Sequence, residues 1–273
     1  MENLPQRSAR LASFVPFLKV FLLVATGLIF LGWWWDTPPG LLGKADAAGY
    51  AVCHRIDARS FHIGDRQTPL CARCSGMYLG ALLGIVYLSR FGKLAGMPST
   101  KIMITLGVFL AAFALDGANS YLHLFPNAPG LYQPENWLRL LTGTGIGLGI
   151  AAVLMPVINQ TLWQTYDSRR ALGGWKQFLP LLGLAGLLDL VILSDNPLLL
   201  YPLALLSGAS IFLILSMVYT IVWVMLAKQE NKFMHYRQIG FFFLAGFLTA
   251  LLQIVALDAV RFWFTGTWAG FKL

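Results

Sequence analysis

Seven apolar stretches divide the chain: Phe14–Trp35, Cys74–Arg90, Ile102–His123, Trp137–Ile158, Phe178–Ser194, Leu198–Leu226 and Ile239–Phe264. A helix rises about 1.5 Å per residue, so roughly 20 apolar residues cross a hydrocarbon layer about 30 Å thick. Polar residues gather between these stretches rather than alternating within them. The pattern predicts an all-α, polytopic transmembrane helix bundle, because a helix satisfies its own backbone in lipid. The second and fifth stretches are the shortest, and the fifth carries Asp189, so each is expected to be tilted or partly re-entrant. Ser194–Pro197 reads as a tight turn, since Asn-Pro disfavours helix continuation. There is no internal repeat and no low-complexity tract, so residues 1–273 read as one integral membrane domain.

Composition agrees. The chain is 57% hydrophobic and only 12% charged, where a soluble domain carries about 25% charged residues. The net charge of +8 does not form the basic stripe of a nucleic-acid-binding fold. It is spread over short loops, which is how membrane orientation is encoded. One side receives Arg7 and Arg10, then Arg90, Lys93 and Lys101, then Arg169, Arg170 and Lys176, then Lys228, Lys232 and Arg237. The loops after the third and fifth spans hold no Lys or Arg. The expectation is a multi-pass protein of the plasma membrane, with the amino terminus cytoplasmic and the carboxyl terminus outside. Trp33, Trp34 and Trp35 fit the outer aromatic belt. Ala45-Asp46-Ala47 mimics a signal-peptide cleavage site, but the polar stretch Asp36–Lys44 separates it from the apolar run. The first span is therefore expected to be a retained anchor.

The outer loop, residues 36–75, breaks the charge rule. It holds Lys44, Arg55, Arg59 and Arg66, with Arg73 at its end. In one account Asp57 and Asp65 neutralise part of this charge. In the other, Arg55, Arg59 and Arg73 form an anion site, because planar guanidinium groups fork onto phosphate or carboxylate. A lipid headgroup, or another anionic or lipid-linked ligand, is the natural occupant at a membrane surface.

The same loop contains all three cysteines, in the run C-H-R-I-D-A-R-S-F-H-I-G-D-R-Q-T-P-L-C-A-R-C. Cys71 and Cys74 have C-x-x-C spacing, Cys53 offers a third thiolate, and His54 or His62 a fourth ligand. That set suits zinc or another thiophilic metal. A rival reading makes Cys71 and Cys74 a redox-active pair with Cys53 as resolving thiol and Arg73 stabilising a thiolate. It looks like the arrangement in quinone-linked disulfide-generating membrane proteins, which normally carry a second cysteine pair. A structural disulfide, or inert thiols, is the third possibility.

Gly76, Gly80 and Gly84 form a small-residue stripe on the second span, matched by Gly143, Gly147 and Ala151 on the fourth, and such stripes let membrane helices approach closely. The run T-G-T-G-I-G-L-G continues an apolar helix with no preceding strand, so it is not a dinucleotide loop. Charged groups in spans cost about 2.5–3.5 kcal/mol each on insertion scales. Here Asp116, Asn119, His123, Arg139, Asp189, Asp195, Asp258 and Arg261 all fall in the outer half. Two ion pairs are expected, Asp116 with Arg139 and Asp258 with Arg261. Alternatively Asp116, as general base, and Arg139 line a catalytic pocket.

The blocks C-H-R-x-x-x-R-S-F and P-L-C-A-R-C-S-G-M-Y-L-G resemble a family of uncharacterised prokaryotic polytopic membrane proteins, a domain of unknown function. The likeness continues through Asp116-Gly117 and through Asn136, Arg139, Thr142 and Gly143, covering about Tyr50 to Ile150. Ser75 stands where the pattern has Thr. His62 lies outside the pattern, which favours His54 as the fourth ligand. The resemblance implies a site built from Cys53, His54, Arg59, Cys71, Arg73, Cys74, Asp116 and Arg139, and implies no activity. Three functions stay open: a metal-assisted enzyme acting on an anionic or lipid-linked substrate, a quinone-linked thiol-disulfide oxidoreductase, and a transporter or non-catalytic subunit of a membrane complex. Haem is disfavoured, because no C-x-x-C-H occurs. The sequence gives no sign of oligomeric state.

Overall fold

Each apolar stretch satisfies its backbone by coiling, and the charged segments between them set where the coils end. The computed structural model describes residues 4–125 and 130–271, with side chains from Phe17 onward. Along the chain run α1 (Leu4–Asp36), α2 (Gly40–Val52), β1 (Ser60–Ile63), β2 (Arg66–Cys71), α3 (Ala72–Ser89), β3 (Leu94–Gly96) and α4 (Thr100–Leu122). Then follow α5 (Asn136–Leu162), β4 (Asp167–Arg170), α6 (Trp175–Leu193), α7 (Pro197–Leu226) and α8 (Tyr236–Thr265). All the α-helices except α2 are long and apolar enough to cross a bilayer, which makes seven spans. In α3 and α5, 56% of the most apolar window is buried within the protein, against 11% in α1 and 22% in α4. The first two are therefore the centre of the bundle, and the latter two face lipid along most of their length.

What holds the centre is backbone-to-backbone approach. A β-carbon on Gly76 would strike the Leu140 carbonyl, one on Gly143 the Arg73 carbonyl, and one on Gly147 the Met77 carbonyl. Gly80 abuts Thr144, and Gly84 abuts Ala151. The two stripes face each other along the helices. Thr144 also donates to Asp189 Oδ1 at 2.6 Å, which ties α6 to the same seam.

Two local expectations need correction. The fifth span is one continuous helix rather than a re-entrant piece, and the turn after it is closed by Asn196, whose side chain accepts from Leu198 N at 3.0 Å. The stretch from Asp36 to Leu70, read as a loop, is folded. Its α2 is too short to cross lipid and too rich in small residues to show an apolar period. Gly43 to Tyr50 are buried all the same, because Gly49 and Ala45 let the helix press on Pro69 of β2 and Gly208 of α7. Lys44 survives there by donating to Thr37 O at 2.9 Å, to Thr37 Oγ1 at 3.0 Å and to Trp34 O. Strands β1 and β2 then form an antiparallel hairpin that turns at Gly64 (φ +62°) and delivers the chain into α3.

Gly143→Ala should destabilise the protein by about 1–3 kcal/mol, since the added methyl meets backbone that cannot move aside. Gly107→Ala, where a β-carbon meets nothing within 4 Å, should be neutral or slightly stabilising. Thermal unfolding of both variants in detergent checks this. Equal midpoints would mean the seam is not close-packed.

Candidate functional site

The head of the bundle is organised by the start of α3. Cys71 is its extended N-cap residue and Cys74 lies in its first turn, so C-x-x-C spacing places both sulfurs at one helix end. Cys53 closes α2 in extended conformation. The chain then reverses through Arg55, held at φ +51°, which aims the Arg55 amide back at the Cys53 sulfur. The sulfurs of Cys53, Cys71 and Cys74 all lie within 4.8 Å of one another. Cys53 Sγ accepts from the backbone amides of Arg55 and Cys71, each at 3.4 Å. Hydrogen bonds from Cys71 and Cys74 hold the Cys53 thiol well below its usual range against the opposing effect of burial. Cys71 is pushed up to about 12, chiefly by its bond to Cys53.

Neither candidate histidine joins the sulfurs. His54 Nδ1 accepts from Ile56 N at 3.0 Å, and burial holds the ring below its ordinary value. His62 pairs with Asp57 at 3.0 Å on the hairpin surface. Of the four ligands expected from sequence, the structure gathers three.

The segment carrying Cys53 is fastened by a residue expected to act elsewhere. Arg261, near the end of α8, donates to the carbonyls of Tyr50 and Cys53 at 2.5 Å and of His54 at 3.1 Å. Its guanidinium lies 3.9 Å above the Tyr50 ring. It forms no ion pair with Asp258, which instead accepts from Trp33 Nε1 at 3.0 Å. Asp258 is three residues before Arg261, but the guanidinium turns instead to the three carbonyls at and just beyond the end of α2.

The basic residues of the head divide into neutralised and free. Arg55 and Arg66 share Asp46 at 3.0 and 2.6 Å, so the compensating acid is Asp46 rather than Asp57 or Asp65. Arg73 pairs with Asp116 and donates to Ser120 Oγ at 3.0 Å. Tyr132 donates to the other Asp116 oxygen at 2.8 Å. Asp116 is 1% exposed and is the counter-ion of Arg73, not the partner of Arg139. A carboxylate so enclosed and so engaged is not positioned as a general base. Arg139 is 6% exposed, and among the described residues its side chain reaches only Asn136 Oδ1, at 2.7 Å. Its Nε has no acceptor among the described residues. Arg59 donates to Ser120 O at 2.9 Å, and burial first, then the nearby Arg73, lowers its hold on its proton.

Two cavities open in the head and share Arg139 as a wall, and none of the three cysteines lines either of them. The one of about 690 Å³ has Ser60, His62, Glu135 and Asp195 on its rim. The other, of about 730 Å³, is lined by Arg55, Asp57, Arg59, Gln67, His123 and Arg139. Sequence reasoning missed the pairing role of Asp46, Tyr132 altogether, and the clamp role of Arg261, and it named Asn136 only as part of the family pattern. Asp46 carried a usable signal, as an acid set within a run of alanines and glycines.

Fold and site together define a seven-span membrane protein with a three-thiol head. The chain belongs to the family described as predicted membrane protein (DUF2085), whose pattern matches residues 53–153. The uncharacterized protein MJ1492 of Methanocaldococcus jannaschii is 27% identical over 117 residues, covering 42% of this chain and 69% of that one. An uncharacterized protein of Methanothermobacter thermautotrophicus is 30% identical over 111 residues, covering 41% of this chain and 90% of that one. No solved structure matches the chain. The matched span runs from the first cysteine into α5, so it includes the thiol trio, the Arg73–Asp116 pair and the glycine seam.

Asp116→Asn leaves Arg73 as an uncompensated buried charge and should cost about 3–5 kcal/mol. Adding Arg73→Gln should recover part of that loss. Unfolding midpoints of the two single variants and the double variant check the coupling. Strictly additive losses would mean the pair is not one unit.

Proposed function

We propose that Cys53, Cys71 and Cys74 hold a thiophilic metal ion, with zinc the best fit, in a centre at the outer face of the plasma membrane. The observation that carries this reading is the mutual approach of the three sulfurs within 4.8 Å. Zinc–sulfur bonds of about 2.3 Å in a tetrahedron set sulfurs roughly 3.8 Å apart, so small rotamer adjustments would seat the ion. The two amides aimed at Cys53 supply the outer hydrogen bonds that thiolate ligands use. With three ligands from the chain, the fourth place falls to water or a substrate atom, as in catalytic zinc sites. Bound there, the ion would polarise its ligand or activate water. The arginine-lined cavity in the same head suits an anionic, lipid-linked substrate. The outer placement rests on the excess of Lys and Arg in the opposite loops.

A quinone-linked dithiol draws on the same proximity of sulfurs. It needs a sulfur that an oxidant can reach, and only Cys74 is more than slightly exposed. A transporter or a non-catalytic subunit of a membrane complex would use the cavity without turnover.

Purified protein should carry about one equivalent of metal per chain, lost in Cys71→Ser, with three titratable thiols after chelation. Two thiols consumed and no metal would replace this reading with the redox one. The orientation has its own check. Asp65→Cys on the hairpin should react with a membrane-impermeant thiol reagent in intact cells, and Ser168→Cys on the opposite side should not. The reverse pattern would put the head in the cytoplasm.

A further inference from the structure

Only two carboxylates in the head, Asp46 and Asp116, pair with guanidinium groups among the described residues, and the structure shows which arginines lack such a partner. Arg55 and Arg66 are matched by Asp46, and Arg73 by Asp116. Arg261 is spent on three carbonyls. Arg59 and Arg139 remain without a carboxylate partner among the described residues. Arg59 has one carbonyl contact and Arg139 one amide contact. Both line the same cavity of about 730 Å³.

Arg139 is the more telling of the two. A buried cation without a counter-charge is costly in a low-dielectric setting. Asn136 Oδ1 fixes the plane of the guanidinium by taking Nη1. That leaves the Nε–Nη2 side, the edge that forks onto two oxygens of one oxyanion. The one acid on the cavity wall, Asp57, is engaged with His62. The sibling cavity has Glu135 and Asp195 on its wall and is the poorer host for an anion.

We infer that Arg139 and Arg59 form the seat for a phosphate-class oxyanion, with Asn136 as the positioning residue that orients Arg139. This rests on the outer-face reading above and narrows its ligand to a phosphate group. It also assigns Arg73 and Arg55 to structure. The phosphate can belong to a lipid headgroup or to a free solute, since the guanidinium chemistry is the same.

The test uses full-length protein with its metal content measured in the same preparation. Two probes are compared: inorganic phosphate, for protein in neutral detergent, and nanodiscs containing phosphatidylglycerol against nanodiscs of phosphatidylcholine alone. Saturable thermal stabilisation by at least one probe is expected. Arg139→Gln and Arg59→Gln should each weaken it about tenfold or more, the loss expected for a charge-assisted hydrogen bond. Arg139→Lys should recover only part, because an ammonium keeps the charge and loses the fork. Asn136→Ala should weaken phosphate binding without altering metal content. Arg90→Gln, at the opposite end of the bundle, should change nothing. Response to inorganic phosphate assigns a free solute, and response to phosphatidylglycerol alone assigns a headgroup. Should neither probe saturate, or should Arg139→Gln and Arg59→Gln bind like the parent, the seat is disproved. Phosphate binding that survives chelation and still depends on Arg139 would uphold the seat even if the metal reading failed. A metal-loaded protein indifferent to both probes would overturn the seat and leave the metal reading standing.

Discussion

The seam between α3 and α5 is the constraint on which the rest of the head depends. Lipid gives two helices little hydrophobic reason to associate, so they associate where their backbones can touch. Gly76, Gly80, Gly143 and Gly147 allow that contact, and its register puts the start of α3 beside the start of α5. Cys71, Arg73 and Cys74 come from one helix start and Asn136 and Arg139 from the other. A shift of one turn, about 5 Å, would move the start of α3, with Cys71 and Cys74, away from the start of α5, with Arg139. The chemistry of the head is thus set by residues that have no chemistry of their own.

Once that register is fixed, charge decides the remainder. Each buried cation in the head must find an acid, a set of carbonyls or an external anion. Asp46, Asp116 and the carbonyls at the end of α2 take four of the arginines. The same contacts bind α2, the hairpin, α4 and α8 into one cap over the bundle. Arg261 is the clearest case. By gripping the carbonyls of Tyr50, Cys53 and His54 it fixes the main chain on which the third sulfur is carried.

The seven spans and the glycine stripes were legible in the sequence because both are one-dimensional patterns, a length of apolar chain and a spacing of four. The proximity of Cys53 to the C-x-x-C pair was a fair inference from composition of the loop. The pairing of charges was not legible. Asp116 with Arg139, and Asp258 with Arg261, are near neighbours in span depth or in sequence, yet their partners come from Arg73 on α3 and Trp33 on α1. Rotation about a helix axis decides such pairs, and no period in the sequence reports it. Helix α2 was hidden for a different reason: Lys44 and Asp46 interrupt its apolar run, and only their tertiary partners make burial tolerable. His54 was favoured as a ligand by the family pattern, but an extended Cys53 followed by a left-handed Arg55 turns its ring onto the Ile56 amide.

The proposed centre requires the three sulfurs to act together on one ion. X-ray absorption at the metal edge of the purified, full-length protein reads that coordination directly. Three sulfur neighbours at about 2.3 Å and one nitrogen or oxygen neighbour at about 2.0–2.2 Å are the predicted shell. A metal shell without sulfur would contradict the central claim.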